Sequence, residues 1–161
     1  MKLYFEEPRH RELLRQQVDE WIGVPYEHMG ETKSGIDCTK LLGKMLMGIG
    51  VFNGNLPNIY APQDWMISGK QEVLLNFTDE TFKKHLNRGL YCSKLTGQIE
   101  RQIGDILFFS NMKSGVCNHS ALYIGDNNIF HCLTYRSCLI EKLSVAWARR
   151  IKKVYRVMIW P

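Results

Sequence analysis

Residues 37–50 read DCTKLLGKMLMGIG, and their apolar positions recur every three or four residues. This period predicts an amphipathic helix that begins at Asp37 or Cys38 and is closed by Gly50. The thiol of Cys38 would lie in the first helical turn, where backbone N–H groups and the helix dipole stabilise a thiolate. Cys38 is therefore a candidate nucleophile of low pKa, and the alternative is a small apolar residue of the core.

Two more helices are predicted around this one. Apolar residues at helical spacing, preceded by a proline and followed by a glycine, predict a first helix over residues 8–22. Thr78 is a suitable N-cap for a third helix, which would end at Arg88. The residues between, 51–76, are rich in Pro, Asn and Gly, and we expect irregular structure there with one turn near Asp64.

The period of the apolar residues changes after Gly104 from helical to strand-like. Five short runs rich in Ile, Leu, Phe and Tyr are separated by Gly, Asn, Asp and Ser, a pattern typical of strands joined by turns. They predict an antiparallel sheet of about five strands, and helices followed by strands indicate an α+β fold. The runs are 106–110, 120–124, 129–133, 138–143 and 154–159.

Length and composition restrict the class of protein. A chain of 161 residues, 45% apolar and 23% charged, is typical of one folded domain, so we expect residues 1–161 to form a single domain. The net charge of +5 comes from scattered positive residues without a basic, aromatic stripe, and we predict no nucleic-acid partner. The sequence contains no apolar run long enough to span a membrane.

The cysteines and the N-terminus indicate the compartment of synthesis. Five cysteines at irregular spacing suggest thiols in a reducing compartment, and a disulfide scaffold is not expected. The opening segment MKLYFEEP becomes charged before a signal-peptide core could form. We therefore expect synthesis in the cytoplasm without an export signal.

Two histidines are placed to act as a general base. His119 precedes a predicted strand and His131 lies in the next one, so a single hairpin could bring them together. A metal site is the alternative, because Cys117, His119, His131 and Cys132 are all ligands that zinc accepts. Neighbours in a strand point to opposite faces, so His131 and Cys132 cannot both bind one ion in a regular strand. We therefore predict no metal and no other cofactor.

The connection between the two histidine strands decides whether their side chains meet. In an antiparallel hairpin, the parity of the pairing register determines which residues share a face. A regular two-residue turn at Asp126 and Asn127 would place the two histidines on opposite faces. We therefore predict a loop of odd length, or a two-residue turn corrected by one bulge.

Five short segments of the chain match one known family in order and spacing. They are 21–26 (WIGVPY), 35–39 (GIDCT), 104–109 (GDILFF), 119–126 (HSALYIGD) and 129–131 (IFH). Together they resemble the NlpC family of papain-like cell-wall cysteine peptidases, and the resemblance covers most of the chain. Residues 60–65, 147–150 and 154–161 are similar to the branch found beside phage tail and gene-transfer-agent genes.

The resemblance implies roles for individual residues. Cys38 would be the nucleophile, His119 the base, and His131 the polar residue that orients the imidazole of His119. The backbone N–H of Cys38 would contribute to an oxyanion hole. Tyr26 matches a tyrosine beside the nucleophile, although packing at a turn would also explain it. Asp37 matches an acidic residue with which some members hold a substrate amine, although helix capping would also explain it.

The resemblance also implies an activity. The expected reaction is hydrolysis of an amide bond in peptidoglycan stem peptides, between D-glutamate and a diamino acid, by an enzyme carried in a phage tail or lysis device. Lys40 departs from the family pattern, because a small residue is usual there, and the departure would alter the substrate groove. Two alternatives stay open, namely a non-catalytic tail-tip component and an acyl transfer or other amidase reaction on the same fold.

Overall fold

A computed structural model of the protein describes residues 1–54, 72–96 and 99–160. Helices from the first part of the chain pack on a sheet built mainly from the second part, which confirms the predicted α+β class. The turn predicted near Asp64 lies outside the described residues.

Helices α1 and α2 agree closely with the sequence pattern. The four α-helices of the described residues are α1 (Pro8–Trp21), α2 (Cys38–Gly48), α3 (Val73–His85) and α4 (Val145–Ala148). In α1, the periodic residues Leu14, Val18 and Trp21 form the buried stripe. None of the helices in the described ranges has the length and apolar character that crossing a bilayer requires.

The predicted start of the third helix is wrong. α3 begins at Val73, so Thr78 lies inside the helix and does not cap it. The Thr78 hydroxyl instead donates to the carbonyl oxygen of Leu74, 2.8 Å away and one turn earlier. A threonine can satisfy its hydroxyl inside a helix in this way, so its residue type does not mark a helix start. The helix also ends earlier than predicted, at His85 and not at Arg88.

The strands form one large antiparallel sheet and one small hairpin. In the described residues the sheet has seven strands in the order β1, β9, β5, β6, β7, β8, and β4 pairs with β9. Strands β5 to β9 confirm the five predicted strands, whereas β1 and β4 were not predicted. The strands are β1 (Lys2–Leu3), β2 (Glu31–Thr32), β3 (Gly35–Ile36), β4 (Leu90–Leu95), β5 (Ile106–Phe109), β6 (His119–Gly125), β7 (Asn128–Cys132), β8 (Cys138–Lys142) and β9 (Ile151–Ile159). Strands β2 and β3 form the small hairpin.

The β6–β7 hairpin has the corrected two-residue turn. Gly125 pairs with Asn128 across the turn, and the register then shifts so that Tyr123 pairs with Ile129. The shift leaves Ile124 as the extra residue of a bulge, and Gly125 next to it takes a φ of +95°, a conformation that favours glycine. This confirms the second form of the prediction, and it places the side chains of positions 119 and 131 on one face of the sheet.

Two apolar clusters cover the two faces of the sheet. On one face, Leu41 and Met45 of α2 pack with Leu122 and Phe130 of the β6–β7 hairpin. A smaller cluster lies on the other face, and the partly buried side chain of Trp147 from α4 packs against it. The first cluster fixes the start of α2 beside the start of β6.

A buried ion pair connects Arg156 of β9 to Asp105, the residue just before β5. The Asp105 carboxylate is fully buried and accepts hydrogen bonds from Arg156 Nε at 2.7 Å and Nη2 at 2.8 Å. It also accepts the backbone N–H of Gln102 at 2.9 Å. The carboxylate is therefore well compensated only while Arg156 is present.

Candidate active site

Cys38 is held at the start of α2 by contacts on both sides of the helix end. Asp37 is the N-cap, with one carboxylate oxygen accepting the N–H of Lys40 at 2.8 Å and the other the N–H of Met29 at 3.0 Å. The Ser120 hydroxyl donates to the Cys38 carbonyl oxygen at 3.2 Å, which joins the helix start to strand β6. The nucleophile candidate is therefore fixed next to the strand residue that follows His119.

The thiol of Cys38 does not have the low pKa predicted from its helix position. Burial and, to a smaller extent, the neighbouring Asp37 carboxylate raise its pKa to about 11, against weaker opposing contacts with Ser120 and Thr39. The prediction was wrong because the helix start stabilises a thiolate less than desolvation and an adjacent negative charge destabilise it. At neutral pH the resting side chain is a thiol.

His119 and His131 meet, as the hairpin register requires. His119 Nε2 lies 2.9 Å from His131 Nδ1, and both side chains are buried. Burial and, to a smaller extent, the proximity of His131 lower the pKa of His119 to about 3. Burial also lowers the pKa of His131, although Glu141 opposes that shift. Both rings are therefore neutral at pH 7.

Glu141 determines which nitrogen of each ring carries the proton. Its Oε2 lies 3.1 Å from His131 Nε2, and because a carboxylate only accepts hydrogen bonds, Nε2 of His131 must carry a proton. A neutral His131 then has a lone pair on Nδ1, so Nε2–H of His119 donates to it. His119 Nδ1 therefore keeps a free lone pair, and a general base needs such a lone pair to accept a proton.

Trp147 covers the two imidazoles on the outer side of the sheet. Its ring centroid lies 5.6 Å from that of His119 and 5.3 Å from that of His131. The backbone N–H of Trp147 donates to the side-chain oxygen of Ser144, the N-cap of α4, at 3.2 Å. This contact holds the tryptophan next to the histidines. Exclusion of water by this ring contributes to the low pKa of His119.

The thiol of Cys38 and the imidazoles of His119 and His131 share no direct hydrogen bond. Cys38 and His131 line the same narrow apolar space between α2 and the hairpin, which is too small to admit a water molecule. The Cys38 sulfur instead has hydrogen-bonding contacts with Thr39 and Ser120. Thiol and imidazole contacts in enzymes without substrate are often loose and become shorter in the complex.

Tyr26 lies close to Cys38, as the family resemblance implied. It bridges to Ile36 just before the nucleophile, and its backbone N–H donates to the carbonyl of Arg136 at 3.1 Å. Burial raises the pKa of Tyr26, with a smaller effect of Cys38 and a hydrogen bond to Thr134 that opposes it. The phenol therefore stays protonated near the thiol and can donate a hydrogen bond.

Asp37 and Lys40 both have local partners. The two carboxylate oxygens of Asp37 already accept backbone N–H groups, so helix capping is an observed role, and burial raises its pKa in spite of them. Lys40 forms an ion pair with Glu31 of the small hairpin at 3.2 Å, and its side chain is largely buried. The lysine thus connects α2 to β2 at the edge of the site.

The zinc alternative does not fit the geometry. His131 hydrogen-bonds within the histidine chain, whereas Cys132 lies on the other side of its strand and its thiol donates to the carbonyl of Ile36 at 3.3 Å. Over the described ranges, no three His, Cys, Asp or Glu side chains converge in a way that could hold a metal ion.

The sequence did not indicate three residues of the candidate site: Glu141, Trp147 and Ser120. A signal for Glu141 existed, because the β7–β8 register pairs His131 with Leu139 and puts Glu141 two residues further along the same face. Trp147 comes from a separate short helix, so nothing local to the hairpin indicates it.

Comparison with known proteins relates this chain to a family. The model of the NlpC/P60 family matches residues 23–156. The chain is 29% identical over 146 residues to the probable endopeptidase NlpC homolog of Haemophilus influenzae, covering 90% of this chain and 62% of that protein. It is 29% identical over 105 residues to the tail tip assembly protein K of Escherichia phage lambda, covering 65% of this chain and 47% of that protein.

The fold comparison agrees. RipD from Mycobacterium tuberculosis, described as a non-catalytic NlpC/p60 domain protein adapted to peptidoglycan binding, superposes with a TM-score of 0.53 at 16% identity, covering 91% of this chain and 95% of that one. This confirms the predicted papain-like architecture. The chain spans less than two thirds of each of the two curated relatives. Because the family model covers most of its length, the chain belongs to the NlpC/P60 family.

Proposed function

We propose that the protein is a cysteine endopeptidase that hydrolyses amide bonds in peptidoglycan stem peptides, between D-glutamate and a diamino acid. Cys38 is the nucleophile, His119 the general base and His131 the residue that orients it. The observation that carries the proposal is the hydrogen-bonded chain from Glu141 through His131 to His119. This chain leaves the outer nitrogen of His119 free, and Cys38 is fixed at the neighbouring helix start.

The reaction begins from a neutral thiol and a neutral imidazole. His119 Nδ1 accepts the proton of Cys38 as the sulfur attacks the scissile carbonyl carbon. The oxyanion that forms accepts the backbone N–H of Cys38, at the positive end of α2. Protonated His119 continues to donate Nε2–H to His131. This hydrogen bond therefore stays the same when the His119 ring becomes charged.

The second half of the reaction reverses the proton transfers. His119 donates its Nδ1 proton to the leaving amine, and the C–N bond breaks to give a thioester on Cys38. Water then attacks the thioester while His119 accepts a proton, and the Cys38 thiol is released with the new carboxylic acid. Because the resting couple is neutral, proton transfer accompanies nucleophilic attack instead of preceding it.

Tyr26 and Asp37 contact the substrate in this proposal. Tyr26 donates its phenol hydrogen to a substrate carbonyl next to Cys38. Asp37 accepts a substrate amine with lone pairs that its two backbone contacts leave over, since each carboxylate oxygen can accept more than one hydrogen bond.

The biological setting follows from the relatives and forms part of the proposal. One relative is named as an endopeptidase homologue and another as a phage tail tip assembly protein. We infer a single peptidase domain over residues 1–161 that is made in the cytoplasm and reaches the cell wall as part of a virion tail, with tail proteins as partners.

The test is digestion of purified sacculi and defined muropeptides, with the products identified by mass spectrometry. The wild-type protein should release fragments with a new D-glutamate carboxyl end. Cys38→Ser should release none, and the matched variant Cys92→Ser, on strand β4, should act as the wild type does. Products from Cys38→Ser at the wild-type rate would refute the proposal.

A second candidate is a protein that binds peptidoglycan without cleaving it. The raised pKa of Cys38 and the lack of a direct contact between its sulfur and His119 favour this alternative. RipD is described as such a protein. Co-sedimentation with sacculi in the absence of any released fragment would support it. Acyl transfer is a third candidate reaction. It would give products in which the D-glutamate carboxyl is joined to an added amine.

A further inference from the structure

Two cysteines outside the catalytic chain face each other at the turn end of the β7–β8 hairpin. Cys132 and Cys138 are directly paired across the two antiparallel strands, and residues 133–137 form the turn between them. Directly opposite residues of an antiparallel pair point to the same face, so the two thiols lie side by side. Both side chains are buried and both are free thiols.

The pair occupies the kind of position in which the two backbones are closest. The N–H of Cys138 donates to the carbonyl of Val24 and its own carbonyl accepts the N–H of Gly23, each at 2.8 Å, so neither group is directed at β7. Cys132 and Cys138 are therefore a non-hydrogen-bonded pair, with Cα atoms about 4.5 Å apart in a regular sheet. Disulfides form at Cα separations from about 4.4 Å upward, so the strands need not move apart or together.

The surroundings tolerate the loss of the thiol protons. The Cys132 thiol donates to the carbonyl oxygen of Ile36, and a disulfide would remove that donor. Ile36 also accepts the backbone N–H of Glu27 at 3.1 Å, so its buried oxygen keeps a partner. The interaction between the two neighbouring sulfur atoms raises the pKa of Cys132 and lowers the pKa of Cys138.

We propose that Cys132 and Cys138 form a site of oxidative modification, at which a low-molecular-weight disulfide such as glutathione disulfide converts them to a cross-strand disulfide. The Cys138 thiolate attacks one sulfur of glutathione disulfide and releases one glutathione thiolate. The Cys132 thiolate then attacks the Cys138 sulfur of the mixed disulfide and releases the second glutathione. Two protein thiols are oxidised and one glutathione disulfide is reduced, with two protons released.

The crosslink would fix the turn that supports Tyr26. The Arg136 carbonyl accepts the Tyr26 N–H, and the Tyr26 side chain hydrogen-bonds to Thr134, so both contacts come from the turn that the disulfide closes. A protein made with free thiols would gain this constraint on reaching an oxidising environment. The effect on stability is independent of whether the protein cleaves peptidoglycan.

The test uses the full chain in its native state. The protein is incubated with glutathione disulfide, quenched with acid, alkylated with iodoacetamide in denaturant and digested with trypsin. Cleavage after Arg136 separates the two cysteines, so a disulfide would join peptide 114–136 to peptide 137–142. We expect this linked pair, two fewer alkylated thiols, and a rise of roughly 5 °C in the midpoint of thermal unfolding that dithiothreitol reverses.

Two matched variants identify the sulfur atoms, because peptide 114–136 also contains Cys117. Cys117→Ser should keep the link and Cys132→Ser should lose it, and fragmentation of the wild-type linked peptide gives the same assignment without any variant. A link that survives in Cys132→Ser, a stable glutathione adduct on Cys138, full alkylation of both peptides, or a link to peptide 34–40 with Cys38 would each overturn the proposal.

Discussion

Acid should destabilise this protein through His119, by an amount that the burial of its ring determines. The pKa of His119 is about 3 in the folded protein and 6.5 when the chain is unfolded. A lowered histidine pKa means that the unfolded state binds the proton first. The contribution is therefore fully present above pH 6.5 and is lost as the pH falls from 6.5 toward 3.

The magnitude follows from the two pKa values. Between pH 7.5 and pH 5.0, linkage for this one group predicts a loss of about 2 kcal/mol in the free energy of unfolding. The result is insensitive to the folded value, because any folded pKa well below 5 leaves the native ring neutral throughout this range. Other titrating groups contribute as well, so the wild-type loss alone does not isolate His119.

His119→Gln isolates the contribution of the imidazole. The glutamine amide can still donate a hydrogen bond to His131 Nδ1, so the rest of the chain to Glu141 keeps its partners. Urea unfolding followed by tryptophan fluorescence at the two pH values gives the loss for each protein. The wild type should lose about 2 kcal/mol more than His119→Gln. Equal losses in the two proteins would show that His119 is not held neutral by burial.

Three further outcomes are expected. Glu141→Leu should lower kcat about 10- to 100-fold with little change in KM, because His131 loses the group that fixes its tautomer. Glu141→Gln should recover much of that loss. Equal rates in Glu141→Leu and wild type would refute the role of Glu141. Alkylation of Cys38 by iodoacetamide, followed by mass spectrometry, should accelerate roughly tenfold per pH unit from pH 7 to 10, and a plateau near neutral pH would contradict its raised pKa. Arg156→Ala should reduce the free energy of unfolding by about 3 kcal/mol, since it leaves the buried Asp105 carboxylate unpaired; a loss below 1 kcal/mol in urea unfolding would argue against that pairing.

The parts of the fold that were predicted correctly are those set by local sequence. The helix that begins at Cys38 has a continuous apolar period, an aspartate at the N-cap and a glycine at the end, and all three agree. Strands β6 to β8 follow one another through short turns, so each has a partner close by in the sequence. Local period and turn chemistry are sufficient in such cases.

The errors have physical causes that lie outside local sequence. Strands β1 and β4 are stabilised by pairing with β9, which is distant in the chain, so their own residues carry little signal. The Cys38 thiol was predicted to be acidic from its helix position, but burial beside Asp37 depends on how α2 packs against the sheet. Trp147 reaches the histidines from the short helix between β8 and β9, and its place depends on the tertiary fold.

The candidate base depends on a single extra residue in the β6–β7 hairpin. Asp126 and Asn127 both have positive φ, as in the tight turns that match the twist of paired strands, and such a turn alone would separate the two histidines. The bulge at Ile124 changes the parity of the register to the one in which Leu122 pairs with Phe130, and continuing that register makes His131 a diagonal neighbour of His119. Only in this register can Glu141 on β8 orient His131, and His131 in turn orient His119. The free nitrogen of His119, on which the proposed reaction depends, is thus a consequence of strand register as much as of residue type.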